Sequence, residues 1–373
     1  MLRGNTFRLA VALFCLTGVT CAQDSVHDAL TSTLKSQRVP GAAIAAVKDG
    51  RLLREIIYGY ANLQLHVPVT RTTRFQLASV TKVFTAAALM KLETNGKLDL
   101  NDPLKKYLTG LPEEWNGVTV SELATHTSGL PDLIASPNNP LTDEELNRTA
   151  DEALKFAESR RTVAPPGSRF QYDQTNYLLL QRIIERLSGQ GFRKFVTTGV
   201  MQSSMPDTVW GDGRVIISDR SDMYTELYHE RIENGANLFA YPEYLDAAAG
   251  LNSNIADMEQ FAAFLTSGKM LPNRELDRMW EPAKNREGQI VDIAKDMDLT
   301  GVLAPAAGWF YGDNSGGKYP RVFMAGGSAT SIMIFPKQHL CIVVLTNLQA
   351  KDDPLPIAER MAKEYLPDLK PMF

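Results

Sequence analysis

A chain of 373 residues, 44% hydrophobic and 22% charged, has enough apolar material for a sizeable core in one large or two ordinary domains. Its net charge of −4 comes with no stretch that concentrates Lys and Arg, which excludes the electrostatic footprint of a nucleic-acid binder. There is no repeat period and no low-complexity tract, so solenoids and compositionally biased chains are excluded too.

The N-terminus differs from the rest. Arg3 and Arg8 precede the apolar run LAVALFCLTGV, which ends in small residues before Gln23. A basic front on a short apolar core reads as a secretory signal over residues 1–22, cut after Ala22. The run is shorter than the ~20 apolar residues a membrane-spanning helix needs, so the membrane is met only through export to the periplasm or medium. Cleavage before Cys21, giving a lipoprotein, is disfavoured by Thr20 in front of it. With Cys15 and Cys21 removed, only Cys341 remains, so no disulfide framework exists and the core must supply the stability. Cys341 lies in HLCIVVLTN and is expected to be a small buried side chain.

Residues 25–36 carry a helical pattern that ends at Pro40-Gly41. Two strand-like runs follow, GAAIAAVK and LLREIIYGYA, joined at Asp49-Gly50, a strong hairpin signal. After Phe75 the run AAALMKLETNGKL predicts a buried helix with Gly96 near its C-cap. Residues 95–230 are mostly helical and rich in loops, with helices expected near 141–159 and 173–188. Another helix is expected over Asp257–Ser267, closed by Gly268. Strand patterns return in GWFYGD, RVFMA, TSIMIFP and LCIVVLTN, and a last helix follows Pro354 to about Tyr365.

Strands at both ends and helices between predict an α/β (α+β) fold. One antiparallel sheet is built from the two chain ends, about 23–75 and 300–373, and flanked by helices; residues 95–230 form a mostly helical second lobe. A cleft between the two is where a site is expected.

Within FQLASVTKVFTAAALM, Ser79 and Lys82 are three residues apart at the start of a helix, which points both side chains to one side. A serine hydroxyl is a weak nucleophile and needs a neighbouring base, which a lysine can supply. The helix N-terminus adds N–H groups able to hold a developing oxyanion. Spacing alone is weak evidence, since Ser32 and Lys35 share it on a pattern that reads as exposed surface. What separates the two is the buried, small-residue helix that follows Ser79.

The run FQLASVTKVFTA resembles the first motif of the serine β-lactamase-like proteins: class C β-lactamases, D-alanyl-D-alanine carboxypeptidases and family VIII carboxylesterases. ELATHTSGLPD, PGSRFQYDQTNYLLL, AAGLNSNIADMEQF, MAGGSATSIMIFP and IVVLTN resemble further segments of those proteins in the same order, over about residues 25–350. The resemblance implies a β-lactamase/transpeptidase-like fold and a covalent serine hydrolase with no cofactor and no metal. Ser79 would be the nucleophile, Lys82 the assisting base and Tyr172 the proton relay to the leaving group. The backbone N–H groups of Ser79 and Gly327 would form the oxyanion hole, and Gln174, Met324, Gly326 and Ser328 would meet the substrate. His126, in Thr-His-Thr-Ser-Gly, would be structural, and the five histidines are scattered without metal-ligand spacing.

Two departures from that family change the expected substrate. Its tyrosine motif usually reads Tyr-Ser-Asn, whereas here it is Tyr172-Asp173-Gln174, with a longer amide arm and an added carboxyl. Its last motif usually begins with Lys or His, whereas Met324-Ala325-Gly326 offers only apolar contact there. The missing cation weakens binding of a substrate carboxylate. Ester cleavage is therefore expected ahead of D-amino-acid peptide cleavage, and β-lactam hydrolysis last, by a monomer acting on a small ester, amide or peptide. The rival reading is a catalytically weakened relative that binds a cell-wall peptide or small ligand.

Overall fold

The computed structural model describes residues 20–135, 141–211, 215–227, 231–234, 241–327, 329–349 and 354–373. The expected leader lies almost wholly outside the described residues.

The predicted antiparallel sheet is present. Its eight strands run in the spatial order Val67–Pro68, Arg51–Asn62, Gly41–Lys48, Leu340–Thr346, Thr330–Phe335, Arg321–Gly326, Trp309–Asp313 and Val302–Ala306. The two chain ends meet at its centre, where Ala42 pairs with Thr346 and Lys48 with Leu340. The Asp49-Gly50 hairpin closes with both residues at positive φ, 50° and 74°, as a tight two-residue turn requires.

Central strands are apolar at nearly every position because both faces are covered, so alternate residues enter different cores. Cys341, Val343 and Leu345 face one core with Ala43, Ala45 and Val47. Leu340, Ile342 and Val344 face the other with Ala42, Ile44 and Ala46. The second core is closed by the helices Thr20–Ser36 and Leu355–Lys363. The first is closed by Ile255–Thr266 and by the helices of the middle of the chain.

The helix Thr81–Thr94 is buried on every side from Thr81 to Met90, and small residues let its neighbours come close. At Gly308, in the turn before the strand Trp309–Asp313, a Cβ would stand 2.6 Å from Ala86 Cβ and 2.7 Å from the Lys82 carbonyl oxygen. The sheet edge therefore rests directly on the turn of helix that carries Lys82.

The single helix expected over 141–159 is two, Asp143–Asn147 and Ala150–Glu158. Thr142 caps the first by accepting from Glu145 N–H, and Thr149 caps the second by accepting from Glu152 N–H, each with the reciprocal glutamate bond. The doubled Thr-x-x-Glu pattern marks two helix starts, and the second one breaks the run.

One ionic cluster joins the helix Ile255–Thr266 to the strand Arg51–Asn62. Arg71 donates to Glu259 Oε2 at 2.7 Å and also pairs with Glu55. Burial, and then the adjacent Glu55, raise the Glu259 carboxyl from its ordinary 4.5 to about 7. A carboxyl raised in the folded state stabilises it while protonated, so that stability is whole below pH 4.5 and is lost as pH rises through about 7. Glu259→Gln, which keeps the neutral amide, is expected to raise Tm by several degrees at pH 8 and to leave it nearly unchanged at pH 4, measured by thermal melts across that range.

Candidate active site

Ser79 sits at a forced turn. Ala78–Val80 form a single 3-10 turn that feeds the helix Thr81–Thr94, and Ala78 has φ 45°, the left-handed region that costs a non-glycine residue about 1–3 kcal/mol. The turn is pinned from two sides. Leu77 N–H donates to the Leu251 carbonyl (2.9 Å), and Thr330 Oγ1 donates to the Leu77 carbonyl (2.9 Å).

Ser79, Lys82 and Tyr172 come together as the sequence predicts. Tyr172 Oη and Ser79 Oγ are 2.7 Å apart, and Lys82 Nζ donates to Ser79 Oγ at 3.3 Å. Lys82, 0% exposed, spends its other donors on Gln174 Oε1 and the Ala248 carbonyl, each at 3.1 Å. The rings of Tyr172 and Tyr177 lie 4.8 and 4.9 Å from Nζ. Lys82 Nζ is thus matched by three acceptors and two aromatic faces, with no carboxylate in direct contact among the described residues. Such a group can exchange a proton with Ser79 Oγ, directly or by way of the Tyr172 hydroxyl. Ser32, in contrast, is exposed on the first helix.

Gln174 reaches Lys82 despite its longer arm. Asp173 does not face the cleft: it is fully buried and accepts from Asn176 N–H (2.9 Å) and Asn176 Nδ2 (2.6 Å). Burial, with Asp132 close by, holds its carboxyl well above the usual range. His126 is buried beside it, its ring stacked on Tyr172 at 4.3 Å and its Nδ1 accepting from Asp173 N–H at 3.3 Å. Burial and then the Lys82 charge push the imidazole well below its ordinary value, so it supports Tyr172 as a neutral ring.

Across the cleft, Gly326 lies so close to the nucleophile turn that a Cβ would meet the Leu77 carbonyl oxygen at 2.1 Å. The next residue, Gly327, has φ 56°. The strand Arg321–Gly326 pairs with Trp309–Asp313 only as far as Phe323, opposite Phe310. Beyond that point no further pair between these two strands is formed among the described residues.

Met324, expected to meet substrate, requires a correction. It is 2% exposed and belongs to the core that holds Val80, Val83 and Ile332. The apolar thioether fills interior volume that a cation could occupy only with polar partners. Ser328 lies outside the described residues.

Sequence reasoning missed the Ala248 carbonyl and Tyr177 beside Lys82. It also missed Asp132, whose Oδ1 accepts from Gln174 N–H (3.1 Å), and Tyr241, whose phenol burial and nearby Tyr172 raise. These are supplied by tertiary approach; Asp132, Tyr177 and Ala248 lie inside quoted motifs, whereas Tyr241 lies in none of them.

An antiparallel sheet carrying a serine–lysine–tyrosine cluster at the foot of a buried helix defines the β-lactamase/transpeptidase class of serine hydrolase fold. The chain belongs to the beta-lactamase family, whose model matches residues 26–365. It is 26% identical over 347 residues to protein flp of Staphylococcus aureus (strain COL), an alignment covering 88% of this chain. The chain spans 64% of that protein's length. Among solved structures it is similar to the octameric penicillin-binding protein homologue from Pyrococcus abyssi, with TM-score 0.77, 24% identity, and 92% of this chain and 77% of that one covered. It is also similar to EstCE1, described as a hydrolase with promiscuous acyltransferase activity, with TM-score 0.73, 18% identity, and 92% and 98% covered.

Proposed function

We propose that this protein is an exported serine hydrolase that cleaves neutral esters through an acyl-enzyme on Ser79, with D-amino-acid amides or peptides as slower substrates and β-lactams as the poorest. The observation that carries the reading is the 2.7 Å contact between Tyr172 Oη and Ser79 Oγ with Lys82 Nζ 3.3 Å behind the same oxygen. Ser79 Oγ bonds to the carbonyl carbon as its proton passes to the Lys82–Tyr172 pair. Charge develops on the carbonyl oxygen opposite the N–H groups of Ser79 and Gly327. The carbon–oxygen bond to the alcohol then breaks, and the departing oxygen takes the proton from Tyr172. Water attacks the acyl-serine by the same path and releases the acid.

Preference for neutral substrates is read from position 324, where the proteins this chain resembles usually carry Lys or His and this chain carries a methionine turned into the core. Export is supported by Arg3, Arg8 and the apolar run behind them, and a mature N-terminus at Gln23 in periplasm or medium checks it.

Intact-mass and peptide mapping after treatment with a fluorophosphonate test the chemistry. One adduct per chain, on the peptide containing Ser79 and not on that containing Ser32, is expected. The second reading, a protein that holds a cell-wall peptide without turning it over, rests on the same Met324. Ligand binding with no adduct and no turnover would replace the first reading by the second.

A further inference from the structure

We propose that Phe170, Phe310 and Ala325 form the leaving-group subsite, and that it selects esters with an aromatic or bulky apolar alcohol over esters whose alcohol carries a carboxylate. This rests on the serine hydrolase reading above and adds the identity of the group that departs.

The direction of the cleft follows from its two ends. The oxyanion donors are at Ser79 and Gly327, while the proton donor to the leaving atom is Tyr172. The leaving group therefore extends from Ser79 toward the Tyr172 side. Two residues before Tyr172 stands Phe170, and both rings lie on His126, Tyr172 stacked at 4.3 Å and Phe170 edge-on at 6.1 Å. Phe170 meets Phe310 edge-on at 5.7 Å, and Phe310 stacks on Phe323 at 5.8 Å.

Phe310 is the residue at which the ladder between the two strands stops, and Ala325 lies two residues beyond its partner Phe323. Met324 and Gly326 point into the helix-side core and the nucleophile turn, so alternation sends the Ala325 methyl to the other face. Phe170, Phe310 and Ala325 are all half-buried and pack on one apolar cluster, the one that contains Phe323.

Two phenyl rings and a methyl group thus stay partly uncovered, and the nearer ring, Phe170, shares the His126 imidazole with Tyr172. They present no N–H or O–H to an anion. A flat apolar group would bury them and itself, whereas a carboxylate would lose water and gain no donor.

The test holds the acyl group fixed and varies the alcohol: kcat/KM is measured for methyl acetate, benzyl acetate and O-acetyl-lactate. Benzyl acetate is expected to exceed methyl acetate at least tenfold, mainly through KM, and O-acetyl-lactate by more. Phe170→Ala is expected to lower the benzyl-to-methyl ratio about tenfold, and Phe310→Leu, a milder change, about threefold. A general loss of folding or of catalysis lowers both rates and leaves the ratio unmoved, so an unchanged ratio in both variants overturns the subsite. Equal turnover of the three esters by the native protein overturns it as well. If Ser79 takes no fluorophosphonate, the hydrolase reading itself falls; if Ser79 is labelled and esters are cleaved without preference, only the subsite falls.

Discussion

Lys82→Met is expected to reduce acylation of Ser79 at least a thousandfold while leaving Tm within a few degrees of the native protein. The two halves of this result have separate causes. Lys82 Nζ is bonded to Ser79 Oγ and lies under the Tyr172 ring, so its loss removes the group through which the Ser79 proton is exchanged. General-base assistance alone contributes about 10²–10⁴-fold.

Stability responds to opposing terms. Holding an ammonium at 0% exposure costs several kcal/mol in lost hydration, and a methionine of similar shape removes that cost. Against it, the buried Ala248 carbonyl loses its donor, at about 1–3 kcal/mol. Gln174 is partly exposed, so water can replace its lost bond. Burst kinetics with p-nitrophenyl acetate and a thermal melt of the same sample read both halves. Activity within tenfold of native would remove Lys82 from the chemistry, and a collapse in Tm would make its role structural.

The contrast between Lys82 and Met324 shows what a sequence discloses. Ser79 and Lys82 were legible because a 3-10 turn runs straight into the helix that carries Lys82, and across that continuous turn spacing dictates direction. The Asp49-Gly50 hairpin was legible because positive φ at two successive residues selects few residue types. Met324 was legible as a departure but not as a buried one. Its strand is apolar on both faces, so its own pattern does not say which residues face the cleft. The break at Thr149 was written in a second Thr-x-x-Glu, yet the helical pattern across it hid the boundary. Asp132 and Tyr241 enter the site from loops and the Ala248 carbonyl from the short helix Asp246–Ala249, and no local periodicity predicts such a meeting. The aromatic contact of Phe170 with Phe310 joins residues 140 positions apart by their numbers and is equally invisible before folding.

Tyr172→Phe isolates the remaining step, because it removes one oxygen and keeps the ring. The phenyl group retains its stacking on His126 and its face toward Lys82. The lost bond to Ser79 accounts for about 0.5–1.5 kcal/mol, so the variant is expected to fold. Its catalytic loss is expected to depend on what departs. With benzyl acetate the alcohol oxygen must be protonated as the bond breaks, and kcat/KM is expected to fall at least a thousandfold. With p-nitrophenyl acetate the leaving group departs as a stable anion, and a fall of about ten- to a hundredfold is expected, reflecting only weaker activation of Ser79. Equal losses on the two esters would confine Tyr172 to activating Ser79. No loss on either would reduce the phenol to packing, and the proton would then have to reach the alcohol directly from Lys82, the other nitrogen or oxygen donor bonded to Ser79 Oγ.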